Sequence, residues 1–129
     1  MADCPCGLKS EYEKCCGRYI EKGAKAPTAE ALIRSRYSAY ATGKAEYIVK
    51  TALYPPDIED LYAFMKEIEF YSLTVLQKKG GGVLDKKGTV EFAARYVKDG
   101  KDAKLHEISK FVRKRGEWLY DESGSRIVE

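Results

Sequence analysis

The first half of the chain carries apolar residues at every third or fourth position, which is the spacing of an amphipathic helix. This pattern predicts a helix over Ala29–Thr42, where Thr28 can cap the amino end and Gly43 can end the last turn. Two further helices are predicted over residues 45–53 and 58–65, on either side of a Pro-Pro pair. The first half of the chain is therefore predicted to be helical.

From Glu69 onward, polar residues alternate with β-branched or aromatic ones, which is typical of strands. Strands are predicted over residues 69–78, 88–98, 103–114 and 117–121. The turn signals Asp99-Gly100 and Arg115-Gly116 join the last three strands in an antiparallel meander, and the glycine-rich residues 79–87 predict a longer, mobile loop. Helices followed by strands define the α+β class.

Length and composition fit one domain with its own hydrophobic core. The chain has 129 residues, of which 44% are hydrophobic and 12% aromatic, and no apolar run approaches the roughly 20 residues that cross a bilayer. The start, Met1-Ala2-Asp3-Cys4-Pro5, lacks the basic and apolar stretches of a secretion leader. We therefore expect a cytoplasmic protein with no membrane association.

All four cysteines of the chain, Cys4, Cys6, Cys15 and Cys16, fall within thirteen residues. In the reducing cytoplasm such a cluster favours a metal site over disulfides, and adjacent Cys15 and Cys16 would pair only under strain. Four thiolates match the tetrahedral preference of zinc and leave no open coordination position. We predict one structural Zn²⁺, with two disulfides, free thiols or an iron–sulfur cluster as the alternatives.

A second group of polar residues is predicted inside the fold. Strand alternation places Glu107 and Ser109 on the sheet face that meets the helices, and Arg36 is the charge on the apolar face of the first helix. A buried Arg36–Glu107 ion pair is predicted, with Ser109 and the hydroxyl of Tyr37 or Tyr40 satisfying the remaining lone pairs. The alternative is an open pocket in which Glu107 acts as a base and Arg36 binds an anion.

Other residues give no sign of a catalytic centre. His106, the one histidine, alternates onto the face opposite Glu107, so we expect it to be exposed and without a catalytic role. The cysteines are predicted to bind metal, which leaves no evident nucleophile. We therefore expect a noncatalytic protein, with an enzyme as the alternative.

Several motifs resemble known families. The cysteines read CPCG and, eight residues later, CCGRYI, which resembles the SEC-C zinc motif at the C-terminus of the SecA translocation ATPase, where it engages partner proteins. The stretches PTAEALIRSRYSAYATG, GTVEFAARY and LHEISKFVRKRGEWLY resemble the bacterial YchJ family, so the likeness spans nearly the whole chain.

This resemblance implies a SEC-C-like zinc-binding knuckle over residues 1–22 and a nuclear transport factor 2-like (cystatin-like) domain over residues 23–129. Such a domain is a cone in which helices pack on a curved antiparallel sheet. We expect a noncatalytic interaction module with a protein partner. The alternative is a small-molecule-binding protein or enzyme that uses the interior around Arg36 and Glu107.

Charge bears on the choice of partner. Lys and Arg outnumber Asp and Glu by 23 to 20, and in the knuckle the two signs alternate along the chain, so we do not expect a nucleic-acid partner. Monomer and dimer both remain open.

Overall fold

The computed structural model describes residues 3–128. Met1, Ala2 and Glu129 lie outside the described residues, so the expected absence of a leader at Met1 and Ala2 and the outer domain limits at residues 1 and 129 fall on residues that are not described. After a single 3₁₀ turn at Tyr12–Lys14, the helices and strands follow in chain order: α1 (Gly17–Ile20), α2 (Ala29–Thr42), α3 (Ala45–Lys50), α4 (Ile58–Glu67), β1 (Ile68–Gly80), β2 (Lys87–Lys98), β3 (Lys101–Lys114) and β4 (Glu117–Ile127). The four strands form one antiparallel sheet in the order β1-β2-β3-β4, which confirms the α+β class.

Helix α2 begins and ends where its sequence predicts. The Thr28 hydroxyl accepts a hydrogen bond of 3.0 Å from the backbone N–H of Ala31, and Gly43 ends the helix in the left-handed conformation with φ 76°. Both signals are local, so they fix the ends of α2 independently of tertiary packing. The helix is largely buried between the sheet, α3 and the cysteine-containing segment.

Helix α3 is shorter than predicted because residues 51–53 pair with the sheet instead. The backbone N–H of Leu53 donates to the carbonyl of Tyr120 at 2.9 Å, and the N–H of Tyr120 donates to the carbonyl of Thr51 at 2.8 Å. This parallel bridge draws the chain away from the helix axis before the Pro-Pro pair. Helix α4 then begins after Asp57, whose carboxylate accepts two backbone N–H groups at 3.0 Å.

Strand β4 is longer than predicted. The polar residues after Asp121 continue the strand past an irregularity at Ile108/Lys110, where the N–H of Lys110 donates to the Ser125 hydroxyl at 2.8 Å. That hydroxyl in turn donates to the carbonyl of Asp121 at 2.8 Å. Hydrogen bonds of the Ser125 side chain therefore support strand pairing in a polar segment whose composition is not typical of a strand.

The glycine-rich loop is fastened to α2. The N–H of Ala29 donates to the carbonyl of Gly81 at 2.9 Å, and a Cβ added to Gly81 would lie 2.7 Å from the Cβ of Ala29. Asp85 accepts the N–H of Gly82 at 2.9 Å, and Lys86 accepts the N–H of Arg113 at 2.8 Å. These bonds join the loop to α2 and to β3, and the predicted mobility of the loop stays a prediction.

The hydrophobic core lies between α2 and the inner face of the sheet, where Val90, Phe92, Ala94, Phe111 and Trp118 are buried. These residues alternate along β2, β3 and β4, as the predicted sheet face requires. Among residues 3–128, no helix has both the length and the apolar composition that crossing a bilayer requires.

We predict that Gly88→Ala lowers the free energy of unfolding by about 1–3 kcal/mol, because overpacking displaces backbone atoms. A Cβ at Gly88 would lie 2.4 Å from the backbone nitrogen of Gly81, which no side-chain rotation can relieve. The control is Gly100→Ala, where the space is open and only the φ of 74° opposes a side chain. Urea-induced unfolding of both variants measures the difference, and equal losses would contradict the steric argument.

Candidate metal centre and interior cavity

The four cysteines converge on one point. Their sulfur atoms all lie within 4.8 Å of one another, and all four residues are buried. A tetrahedral ion with metal–sulfur bonds of about 2.3 Å requires about 3.8 Å between sulfurs. The sulfurs of Cys6 and Cys15 are 3.5 Å apart, far beyond the roughly 2.05 Å of a disulfide bond. The four cysteines are free thiols, and their arrangement fits a metal ion.

Backbone turns bring the two cysteine pairs together. The N–H of Cys4 donates to the carbonyl of Ser10 at 2.7 Å, and Gly7 has φ 89°, a conformation that glycine adopts without strain. At Gly17 a Cβ would lie 2.7 Å from the carbonyl oxygen of Tyr12, so glycine is required directly after Cys16. The conformation of these turns therefore depends on glycines beside the ligands.

The thiols strongly influence one another's ionisation. A hydrogen bond with Cys16 is the main reason that the pKa of Cys6 falls to about 5, with the backbone N–H of Leu8 contributing. The same interaction raises the pKa of Cys16, and burial raises that of Cys15 to about 12. Neighbouring sulfurs thus resist joint deprotonation. A divalent cation between them removes this resistance, since it compensates the negative charge.

Helix α2 holds the cysteine cluster through Arg34. Its Nη1 donates to the carbonyl of Cys6 at 2.8 Å, and its Nε donates to Glu30 at 2.9 Å. Glu30 also accepts from Lys78 of β1 at 2.7 Å, and these bonds, that of Lys78 foremost, lower its pKa. The side chain of Arg34 is only 14% exposed. This network joins the knuckle to α2 and to the sheet.

A second contact from α2 reaches the sulfurs themselves. The hydroxyl of Ser38, four residues after Arg34, lies 3.6 Å from the Cys4 sulfur and is fully buried. On the other side of the cluster, the Nε of Arg18 donates to the carbonyl of Cys15 at 3.0 Å. Arg18 is thus one of the basic residues beside the cluster, whereas Lys14 pairs with Glu11 at 3.8 Å.

The predicted interior residues border one cavity of about 140 Å³ between α2, α4 and the sheet. Its polar groups belong to Arg36, Glu107 and Ser109. Its aromatic walls come from Tyr37, Tyr40, Phe64, Phe70, Phe92 and Tyr120. All five residues proposed from the sequence as pocket or ion-pair members therefore lie together at this cavity.

Arg36 and Glu107 do not form the predicted direct ion pair: within residues 3–128, no oxygen of Glu107 lies within 4.0 Å of the guanidinium. The Nη1 of Arg36 donates instead to the Ile48 carbonyl at 2.9 Å and the Thr51 hydroxyl at 2.8 Å. Its Cζ lies 4.7 Å from the centre of the Tyr120 ring, so an aromatic ring takes the position expected for the carboxylate.

Glu107 receives its hydrogen bonds from the sheet. The Ser109 hydroxyl donates to Glu107 Oε2, as predicted, and the Tyr120 hydroxyl donates to the same oxygen at 2.9 Å. Glu107 is half-buried rather than fully buried. Tyr37 and Tyr40 border the cavity without bonding the carboxylate, and burial raises the pKa of Tyr37 to about 12. Tyr120, the phenol that does bond Glu107, is not among the residues predicted for the polar group.

His106 lies on the opposite sheet face, as alternation requires, but it has a partner. Its Nε2 is 2.7 Å from Glu91 Oε2, and the side chain is 24% exposed. Glu91 is on the neighbouring strand β2, diagonally across the register from His106. The predicted position on the outer face is confirmed, and the side chain is half-buried there rather than exposed.

Comparisons with known proteins agree with this architecture. The family model for the middle, nuclear transport factor 2-like domain of YchJ matches residues 28–123. A UPF0225 protein from Chromobacterium violaceum is 42% identical over 123 residues, which cover 92% of this chain and 90% of that protein. One from Streptomyces coelicolor is 42% identical over 120 residues, with 91% and 90% covered.

Two solved structures are similar over most of their length. The solution structure of a SEC-C motif containing protein from Rhodopseudomonas palustris has a TM-score of 0.85 at 36% identity and covers 99% of this chain and all 100% of that one. The crystal structure of a SEC-C motif containing protein from Psychrobacter arcticus has a TM-score of 0.82 at 27% identity, with 100% and 85% covered.

The fold and the cysteine cluster together define a protein that joins a SEC-C cysteine knuckle to a nuclear transport factor 2-like domain. The chain belongs to the YchJ family, in which its relatives are UPF0225 proteins. The division between residues 22 and 23 stays a prediction.

We predict that Arg34→Ala lowers the free energy of unfolding of the metal-loaded protein by about 1–3 kcal/mol, because the buried Cys6 carbonyl loses its donor. The matched control is Arg95→Ala, which removes an exposed, solvent-screened pair with Asp102 and should cost much less. Urea-induced unfolding distinguishes them. A loss in Arg34→Ala no larger than that of the control would show that Arg34 does not fasten the knuckle.

Proposed function

We propose that this protein binds one structural Zn²⁺ through Cys4, Cys6, Cys15 and Cys16, and that it acts as a noncatalytic protein-interaction module in the cytoplasm. The observation that carries the metal assignment is the convergence of four buried thiols within 4.8 Å. Zinc is the metal most often held by four cysteines in a closed structural site. A reducing compartment keeps such thiols available for it.

The donor set supports a structural role. Four thiolates complete a tetrahedron around zinc, so no position is left for water or substrate. The hydrogen bonds from Leu8, Arg18 and Arg34 near the cysteines would offset the formal charge of minus two on the loaded site. The ion would therefore stiffen the knuckle rather than carry out a reaction.

The interaction role is supported by Leu8, which is 53% exposed between the two cysteine pairs. Its neighbours Gly7 and Lys9 both have positive φ, 89° and 56°, so the turn presents the side chain in a defined direction. An apolar side chain on a rigid turn loses little conformational entropy on binding. This is the chemistry of an anchor that inserts into an apolar pocket of a partner protein.

The zinc assignment predicts one Zn²⁺ per chain by native mass spectrometry of protein expressed in zinc-supplemented medium. Chelation should remove the ion and lower the Tm, because metal binding to the knuckle is coupled to its folding. Cys16→Ser should lose the ion, whereas the control Ala103→Ser on β3 should retain it. Metal-free protein with two disulfides, or with an unchanged Tm, would contradict the proposal.

The interaction role predicts a weaker hold on partner proteins in the variant Leu8→Asp. The amount of partner protein that the immobilised variant retains from a bacterial extract should fall at least about tenfold relative to wild type. The control, Leu84→Asp, alters a residue that is 93% exposed in the glycine-rich loop. Zinc content and Tm are measured for both, so that misfolding is detected. Identical sets of bound proteins for wild type and Leu8→Asp would contradict this role for the knuckle.

A second candidate function is the binding of a small molecule in the interior cavity. The observation that favours it is Arg36, a guanidinium only 5% exposed that borders the cavity and forms no ion pair with any carboxylate of residues 3–128. A closed Arg36–Glu107 bridge would have filled the polar end of this space. The volume of about 140 Å³ suits a molecule of one ring.

A further inference from the structure

The interior cavity combines aromatic walls with one positive and one negative side chain. A cavity of about 150 Å³ in another protein is known to hold benzene, and this one measures about 140 Å³. The rings of Tyr40 and Phe70 meet edge to face at 6.0 Å, which leaves flat apolar walls between α2 and the sheet. The size and the walls fit a single planar ring.

The positive side of the cavity has donors to spare. Arg36 donates to Ile48 and Thr51 through Nη1, and the Tyr40 hydroxyl is a further hydrogen-bond partner of the guanidinium. A guanidinium has five N–H donors, so these partners do not use all of them. Burial lowers the pKa of Arg36, although a guanidinium keeps its charge. Because Arg36 lines the cavity, a ligand acceptor there can form an additional, charge-assisted hydrogen bond with the guanidinium.

The negative side of the cavity has an acceptor to spare. Ser109 and Tyr120 both donate to Oε2 of Glu107, and no side chain or backbone group of residues 3–128 donates to Oε1. The Tyr120 ring lies against Arg36 while its hydroxyl bonds Glu107, so this one residue separates the two charges. The separation prevents direct neutralisation and leaves both groups able to bind a third.

We propose that the cavity binds a neutral, planar, single-ring molecule that carries a hydrogen-bond acceptor for Arg36 and a donor for Glu107, such as an aromatic primary carboxamide or lactam. This rests on the second candidate function, small-molecule binding. A carboxylate ligand would be repelled by Glu107, and an ammonium ligand by Arg36, whereas a neutral amide satisfies both groups.

The mouth of the cavity is consistent with entry of such a molecule. Phe64 of α4 borders the cavity but is 42% exposed, and its ring meets that of Tyr40 edge to face at 6.2 Å. This aromatic side chain thus belongs both to the cavity wall and to the solvent-exposed surface. Rotation of such a side chain is fast compared with helix movement, so entry does not require α4 to separate from the sheet.

The test uses three single-ring probes of similar size, the neutral benzamide, the anionic benzoate and the cationic benzylamine, titrated into the full-length, zinc-loaded protein. Methyl NMR signals of Ala94 and Leu105, which line the cavity on paired strands, report binding. Benzamide should shift both signals with a Kd at least about tenfold lower than those of benzoate and benzylamine. The backbone signals of the cysteine knuckle should not move.

Two variants locate the binding site. Ala94→Leu fills the cavity and should remove the benzamide response, whereas the control Ala93→Leu, on the opposite face of the same strand, should keep it. Glu107→Gln removes the repulsion of benzoate while keeping the shape of the side chain. In that variant the ratio of the benzoate Kd to the benzamide Kd should fall by at least about tenfold. This second variant keeps the test decisive even if Ala94→Leu does not fold.

The outcomes separate the ligand class from ligand binding itself. Tightest binding by benzoate or benzylamine, reported by the same methyl signals, would overturn the neutral-amide class and leave small-molecule binding in place. Absence of any response of Ala94 and Leu105 at millimolar concentration of all three probes would overturn both. An unchanged preference in Glu107→Gln would remove the role given to that carboxylate.

Discussion

The architecture depends on one constraint, which is that helix α2 must pack against the sheet and the cysteine knuckle at the same time. Its apolar face, with Leu32 and Ile33, is buried in the core. Arg34 and Ser38, one turn apart, instead reach the cysteines. Arg36, two residues from Arg34, turns inward to the cavity. The helical periodicity thus assigns consecutive polar residues to two different sites.

This arrangement explains why α2 is deeply buried although polar residues occur on several of its faces. Ser35 is buried because its hydroxyl bonds the carbonyl of Leu32 and the hydroxyl of Tyr47, at 3.0 Å and 2.7 Å. Arg36 is buried because the carbonyl of Ile48 and the hydroxyl of Thr51 accept hydrogen bonds from its guanidinium. These two polar side chains therefore enter the interior with partners from α2, from α3 and from Thr51, the residue that follows α3. The cluster and the cavity share the helix as a common wall.

Features fixed by neighbouring residues could be predicted from the sequence, whereas features fixed by distant ones could not. The ends of α2 follow from Thr28 and Gly43, and the metal cluster follows from cysteines close together in the chain. The predicted partner of Arg36 was wrong because residues 51–53 do not continue α3 but pair with β4. No local sequence signal indicates this pairing. Alternation placed Glu107 correctly on the inner face, but it could not show that Tyr120 would lie between the two charges.

The pairing of residues 51–53 with Tyr120 also protects an exposed edge of the sheet. An open four-stranded meander has two edge strands, and free backbone groups on an edge invite a second molecule to add a strand. On β4, both backbone groups of Tyr120 are occupied by Thr51 and Leu53. On β1, irregularities at Phe70/Ser72 and Val75/Gln77 interrupt the regular register. The short segment that ends α3 early thereby opposes aggregation through intermolecular sheet formation.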